Sequence, residues 1–124
     1  MIIDSDILID FARKDEKAIA FLESALQDGV AKISAISKME LIVGCRNKRE
    51  LKALDRFVGR FNLINLSPAI SVRATELLCQ YRSGHGLMIP DALIAATALL
   101  EDEPLATRNH RHFRFIEDLG LVEY

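Results

Sequence analysis

Short apolar runs alternate with longer amphipathic stretches along the whole chain. The apolar runs predict strands over residues 2–3, 32–36, 63–66 and 104–107, and a further strand over 121–123. Between them, apolar residues recur every three or four positions and predict helices over about 6–14, 17–27, 37–46, 48–61, 68–81 and 90–101. Strands that alternate with helices are typical of α/β proteins. We therefore predict a twisted parallel sheet of four or five strands with helices on both faces.

Local signals refine the ends of two of these helices. Ser37-Lys38-Met39-Glu40 has the S-x-x-E form of a capping box, which predicts that a helix begins at Ser37 and that Glu40 bonds back to its backbone. Pro68 suits the first position of the next long helix. That helix is expected to end before a loop over Ser83–Gly86.

Length and composition limit the kinds of protein this chain can be. Its 124 residues predict one domain, 1–124, with enough chain for a hydrophobic core. Half of the residues are apolar, a high fraction that predicts some apolar surface buried against a partner. The net charge of −2 excludes a strong overall attraction to nucleic acid, so any such binding must use local patches. The chain shows neither a signal peptide nor a membrane span, and we expect a cytoplasmic protein.

Sheet topology brings polar residues from distant parts of the sequence together. Asp4 follows the first strand, and Thr107 and Asn109 end the fourth, so all three lie at the carboxyl edge of a parallel sheet. Crossover helices run antiparallel to the strands, which places Asp91, in the first turn of its helix, at the same edge. Glu40 lies in the first turn after the second strand. The sequence therefore predicts a cleft lined by carboxylates.

Clustered carboxylates repel each other unless protons or a cation intervene. Oxygen ligands suit Mg²⁺ or Mn²⁺, and such an ion can activate water for attack on a phosphodiester. Structural explanations also exist for single members of the set. Asp91 could serve only the helix dipole and Glu40 only the capping box, while Asp6 either caps the first helix or supports a metal site. A purely structural explanation is harder to give for Asp4, because aspartate is unfavourable in strands.

Four segments together carry a family resemblance. In chain order they are MIIDSDILIDF, the helix start at Ser37 to Leu41, IPDALIAATAL, and Thr107-Arg108-Asn109-His110-Arg111-His112-Phe113. With this order and spacing the chain resembles the PIN-domain nucleases, and most closely the VapC-type toxins of toxin–antitoxin pairs. The resemblance implies a ribonuclease that depends on Mg²⁺ or Mn²⁺, forms a homodimer, and is held inactive by a VapB-type antitoxin.

The resemblance also assigns roles to residues. It implies Asp4, Asp91 and Glu40 as metal ligands, with Thr107 positioning a water or orienting a carboxylate. Asn109 stands where many PIN domains have a fourth acid, and it is expected to act through water or substrate. His112 also replaces an acid that is common at its position, and the three histidines of the chain are expected to have surface or core roles.

Basic residues suggest where RNA could bind. Lys48, Lys52, Arg56 and Arg60 recur every four residues on one helix, and they form either a solvated face or a surface for RNA or antitoxin. Arg108 and Arg111 lie nearer the predicted cleft and are candidates for phosphate contacts, together with Asp6 as a possible substrate-binding residue.

Three other functions compete with a toxin nuclease. A housekeeping RNA-processing nuclease of the same fold is the first. A haloacid-dehalogenase-like phosphatase, suggested by Asp4-Ser5-Asp6, is the second, but it requires a longer chain. The third is an inactive PIN domain that only binds a partner.

Overall fold

A five-stranded, fully parallel sheet forms the centre of the computed structural model, which describes all 124 residues. The strands are β1 (Ile2–Ile3), β2 (Lys32–Ser34), β3 (Asn62–Ile64), β4 (Leu105–Ala106) and β5 (Leu121–Val122). Their spatial order is β3-β2-β1-β4-β5, so β1 is central and its neighbours come from distant parts of the sequence. This order brings the ends of β1, β2 and β4 to one edge of the sheet.

Six helices connect and cover the strands. They are α1 (Ser5–Ala12), α2 (Glu16–Gln27), α3 (Ala35–Val43), α4 (Lys48–Val58), α5 (Pro68–His85) and α6 (Ile89–Leu100), and a short 3₁₀ helix follows at His110–His112. No helix combines the length and apolar character needed to cross a lipid bilayer. The predicted α/β architecture, with helices on both faces of a parallel sheet, is confirmed.

Two hydrophobic cores lie on opposite faces of the sheet, because neighbouring residues of a strand point to opposite sides. Ile2 packs on one side with residues of α5 and α6, including Leu77 and Ile94. Ile3 packs on the other side with residues of α1 and α2, including Leu22. The central strand is therefore buried on both faces, and the residue that follows it is held rigidly.

The predicted capping box at Ser37 is wrong. The helix α3 begins two residues earlier, at Ala35, because the Ser34 hydroxyl caps it by accepting a bond from the backbone N–H of Ile36 at 3.1 Å. Ser37 is buried inside the helix, and its hydroxyl has no hydrogen-bond partner. Glu40 is therefore the sixth residue of α3 and has no capping role.

The predicted loop over Ser83–Gly86 is also wrong for most of its length. The helix α5 continues through Ser83 and Gly84 to His85, and it ends at Gly86. Gly86 adopts φ +72°, the left-handed conformation that glycine accepts without a steric penalty, and its N–H bonds to Arg82 O at 2.8 Å. The loop between α5 and α6 is consequently only three residues long.

Candidate active site

The first acid of the site is fixed at the end of the central strand. Asp4 is 5% exposed and caps α1, accepting a bond on Oδ1 from the backbone N–H of Ser5 at 2.8 Å. Its Oδ2 accepts a bond from the Thr107 hydroxyl, also at 2.8 Å. Thr107 is fully buried directly after β4, so the two neighbouring strands hold this carboxylate from both sides.

Asp6 lies two residues after Asp4, in the first turn of α1, and connects the same two segments. One of its oxygens, Oδ2, accepts bonds from the Arg108 backbone N–H at 2.9 Å and from the Thr107 hydroxyl at 3.3 Å. Its other oxygen, Oδ1, is buried without a hydrogen-bond partner. Of the two roles considered for Asp6, the capping role is wrong, because Asp4 caps α1.

Glu40 approaches this edge from α3. Its Oε1 accepts a bond from the Ser5 hydroxyl at 3.3 Å. Although the residue as a whole is exposed, the pKa of its carboxyl is raised, first by loss of solvent around the carboxylate and then by the charges of Asp91 and Asp6. The Glu40 carboxylate therefore interacts electrostatically with Asp6 and Asp91.

Asp91 approaches from the opposite side, in the first turn of α6. Its pKa is raised by burial and by the charge of Asp6, and the neighbouring His112 opposes this rise. The Nδ1 atom of His112 lies 3.6 Å from Asp91 Oδ2. We refer to Asp4, Asp6, Glu40 and Asp91 together as the acid cluster.

Asp4 has the largest pKa shift in the acid cluster. Burial, followed by the charge of Asp6, raises the pKa of Asp4 from 3.8 to about 7, although its bonds from Thr107 and Ser5 act in the opposite direction. No lysine or arginine side chain forms an ion pair with any member of the acid cluster. Arg108, whose backbone N–H bonds to Asp6, directs its guanidinium to Asp10 instead. Apart from His112 beside Asp91, the acid cluster therefore has no cationic side chain paired with it.

The remaining predicted residues lie around the acid cluster rather than in it. Asn109 is exposed, and its interaction with the site is a backbone N–H bond to the Thr107 hydroxyl at 3.0 Å. Arg111 and His112 line a cavity of about 300 Å³ beside Asp91. On the other side, Arg108 and Thr107 line a cavity of about 550 Å³.

Sequence reasoning gave His112 no specific place in the site. Its spacing from the acids is irregular, and only the 3₁₀ turn after β4 brings its ring to Asp91. The available signal was its position within the segment that follows β4, where the resemblance has an acid. His85 lines the same cavity as His112, but its ring stacks on Phe115 at 4.3 Å, and His110 lines the cavity next to Arg108.

Comparison with known families decides the assignment of the fold. The family model described as PIN domain matches residues 1–118. The chain belongs to the PIN domain family. Among curated relatives, this PIN domain is 38% identical over 120 residues to Ribonuclease VapC10 of Mycobacterium tuberculosis, which covers 96% of this chain and 90% of the relative. The predicted resemblance to VapC-type PIN domains is thereby confirmed.

Solved structures show the same relationship. A toxin–antitoxin complex from Klebsiella pneumoniae contains a chain that is 33% identical, with a TM-score of 0.81 over 98% of this PIN domain and 95% of that chain. VapBC2 from Rickettsia felis, bound to a DNA fragment from its promoter, matches at 26% identity with a TM-score of 0.83 over 99% and 97% of the two chains. The similarity therefore extends over essentially the whole fold.

Proposed function

We propose that this PIN domain is a metal-dependent endoribonuclease and the toxin of a VapBC-type toxin–antitoxin pair. The observation that supports this most directly is the acid cluster, in which carboxylates of α3, α6 and the start of α1 raise one another's pKa and none is paired with a lysine or an arginine. The relatives named Ribonuclease VapC support RNA as the substrate.

The acid cluster fits a hard divalent cation. Oxygen donors in a half-buried cluster, one of them the unpartnered Asp6 Oδ1, are typical of Mg²⁺ or Mn²⁺ sites. We assign Asp4, Glu40 and Asp91 as the residues that would hold the ion. No three of these side chains meet in ligand geometry, so the exposed Glu40 would have to change its conformation to join the aspartates around an ion. When bound, such an ion supplies activated water and neutralises charge on a phosphodiester.

Residues around the acid cluster would orient its carboxylates and contact the RNA substrate. The Thr107 hydroxyl orients the Asp4 carboxylate, and Asp6 holds the segment after β4 by accepting the Arg108 N–H. The exposed Arg111 lies beside Asp91 and would contact substrate phosphates. The Arg108 guanidinium forms an ion pair with Asp10. It would contact a substrate phosphate only if that ion pair opened. Asn109 would reach substrate or a bound water from its exposed position.

An apolar groove beside the acid cluster is the surface that we assign to a VapB-type antitoxin. It has a volume of about 570 Å³ and lies between α1, α3 and α4, lined by side chains that include Phe11, Leu41 and Phe57. Glu40 lines the same groove, so a segment bound there would end at the acid cluster. The structural neighbours from toxin–antitoxin complexes support a partner of this kind.

The groove assignment has a simple test. The exposed Ala53 lines the groove on α4, and Ala53→Glu should prevent co-purification with the product of an antitoxin gene adjacent to this one while leaving RNA cleavage intact. Undiminished co-purification of the variant would contradict the assignment. If no adjacent antitoxin gene exists, the housekeeping alternative becomes the better description.

Cleavage itself is tested with Asp91→Asn. The purified variant should lose Mg²⁺-dependent cleavage of labelled RNA, because its charge is needed at the cluster, and the wild type should lose it on addition of a chelator. Asp102→Asn is the matched control, since it makes the same chemical change just beyond the other end of α6, in a left-handed conformation that asparagine tolerates. Retained turnover in Asp91→Asn would refute the metal-nuclease function.

A further inference from the structure

His112 and Asp91 are close without being hydrogen-bonded. Their facing atoms, Nδ1 and Oδ2, are 3.6 Å apart, which exceeds the range of an N–H···O bond. The charge of His112 is the only influence found to lower the pKa of the Asp91 carboxyl, and no hydrogen bond contributes to it. An imidazole nitrogen and a carboxylate oxygen thus face each other across a gap at the edge of the acid cluster.

We propose that His112 is a nitrogen ligand of the divalent ion at the acid cluster, and that it shifts the preference of the site from Mg²⁺ toward Mn²⁺. This inference rests on the proposed metal site and specifies its ligand set and selectivity. It also gives His112 a role that replaces the surface role expected from the sequence.

The geometry suits two ligands of one ion. Atoms that each lie about 2.1 Å from an ion, at an angle of about 90–115°, are about 3.0–3.5 Å apart. The observed 3.6 Å is only slightly longer. The His112 side chain is 54% exposed, and it sits in a single 3₁₀ turn, so its ring can make the small adjustment without disturbing a packed core. The Asp91 side chain is 23% exposed and reaches the gap from the first turn of α6.

The chemistry of the ligand determines the expected selectivity. Mg²⁺ prefers oxygen ligands and retains bound waters, whereas imidazole nitrogen favours first-row transition metals. A carboxylate at position 112 would give an all-oxygen set, and a histidine there adds one nitrogen. His112 is the histidine that faces Asp91 at this distance, since His85, which lines the same cavity, stacks its ring on Phe115, and His110 lines the separate cavity next to Arg108.

The test uses Mn²⁺ itself as a spectroscopic probe. Pulsed electron paramagnetic resonance of the Mn²⁺-loaded protein should show magnetic coupling to a ¹⁴N nucleus in the wild type and in the control His110→Gln. The coupling should be absent from His112→Gln and His112→Asp. Competition titrations should show that His112→Asp lowers the preference for Mn²⁺ over Mg²⁺ by about tenfold or more, because it restores an all-oxygen set.

The outcomes separate this inference from the proposed function. Nitrogen coupling in a protein that does not cleave RNA would support the ligand and contradict the nuclease. Cleavage by a protein whose bound Mn²⁺ shows no nitrogen coupling would overturn the ligand and leave the nuclease in place. Coupling that persists in His112→Gln, or a failure of the wild type to bind Mn²⁺, would also overturn the inference.

Discussion

Replacing Asp4 with asparagine should stabilise the protein in the absence of metal, which is the reverse of what a buried, doubly hydrogen-bonded residue suggests. The substitution keeps the shape of the side chain, and asparagine caps helices as well as aspartate does. Its carbonyl can accept the Ser5 N–H, and its amide can donate to the Thr107 hydroxyl. That hydroxyl can then donate to Asp6, 3.3 Å away.

The magnitude follows from the pKa of Asp4, which rises from 3.8 to about 7 on folding. A rise of about three pH units, at about 1.4 kcal/mol each, means that ionised Asp4 costs the folded state on the order of 4 kcal/mol. Because the pKa is raised, ionisation of Asp4 lowers the stability of the folded state. The cost is absent below pH 3.8, grows as pH rises toward 7, and is fully present above 7. Because the new hydrogen bonds are imperfect, we expect Asp4→Asn to gain about 2–4 kcal/mol at pH 8.5 and much less at pH 5.

Urea unfolding measures this difference. Wild type and Asp4→Asn are unfolded at pH 5 and pH 8.5 in the presence of a chelator, and then at pH 8.5 with added Mg²⁺. The ion should stabilise the wild type by binding its folded state and should stabilise the variant far less. Asp28→Asn is the matched control, since Asp28 is exposed at the end of α2 and should show neither effect.

Two results would refute this reasoning. If Asp4→Asn gains no stability at pH 8.5 relative to pH 5, the ionised Asp4 carboxylate is not destabilised by its burial and by the charge of Asp6. If Mg²⁺ stabilises both proteins equally, Asp4 does not hold the ion.

Three further predictions address other parts of the molecule. Glu40→Gln should keep near-native thermal stability, because Ser34 rather than Glu40 caps α3, and it should lose most RNA cleavage; cleavage at the wild-type rate would remove Glu40 from the site. Charge reversal of Lys52 and Arg56 should flatten the salt dependence of RNA affinity by ~0.7 in log–log slope per lost phosphate contact, and an unchanged slope would mark that face of α4 as merely solvated. Light scattering at micromolar concentration should report a homodimer, and a purely monomeric protein would contradict this.

The sequence was sufficient for the fold class and for the edge of the sheet at which the acids meet. Both depend on long-range regularities, namely the alternation of strands with helices and the direction of crossover connections, which the residue pattern reports reliably. The pairing of Asp4 with Thr107 across 103 residues follows from the β1–β4 contact alone. Their chemical roles remain predictions.

Local helix boundaries were predicted less well, because two signals competed at each of them. Ser34 and Ser37 can both cap a helix, and the S-x-x-E spacing favours Ser37. The parallel pairing of β2 ends at Ser34, however, and so the chain turns into α3 there. Similarly, Ser83 and Gly84 look like a loop, but the packing of α5 against α6 keeps them helical as far as Gly86.

The capping box predicted at Ser37 also gave Glu40 a structural role. Because Ser34 caps α3, Glu40 does not have that role. Without that explanation, an acid on α3 whose partner is the Ser5 hydroxyl, and whose pKa is raised by burial and by Asp91, has no contribution to stability that would account for its position. A residue that costs free energy in the metal-free fold is best explained by what it binds. The argument extends to Asp91 and to the charge of Asp4, because asparagine would cap α1 as well as aspartate does without the cost of a buried charge.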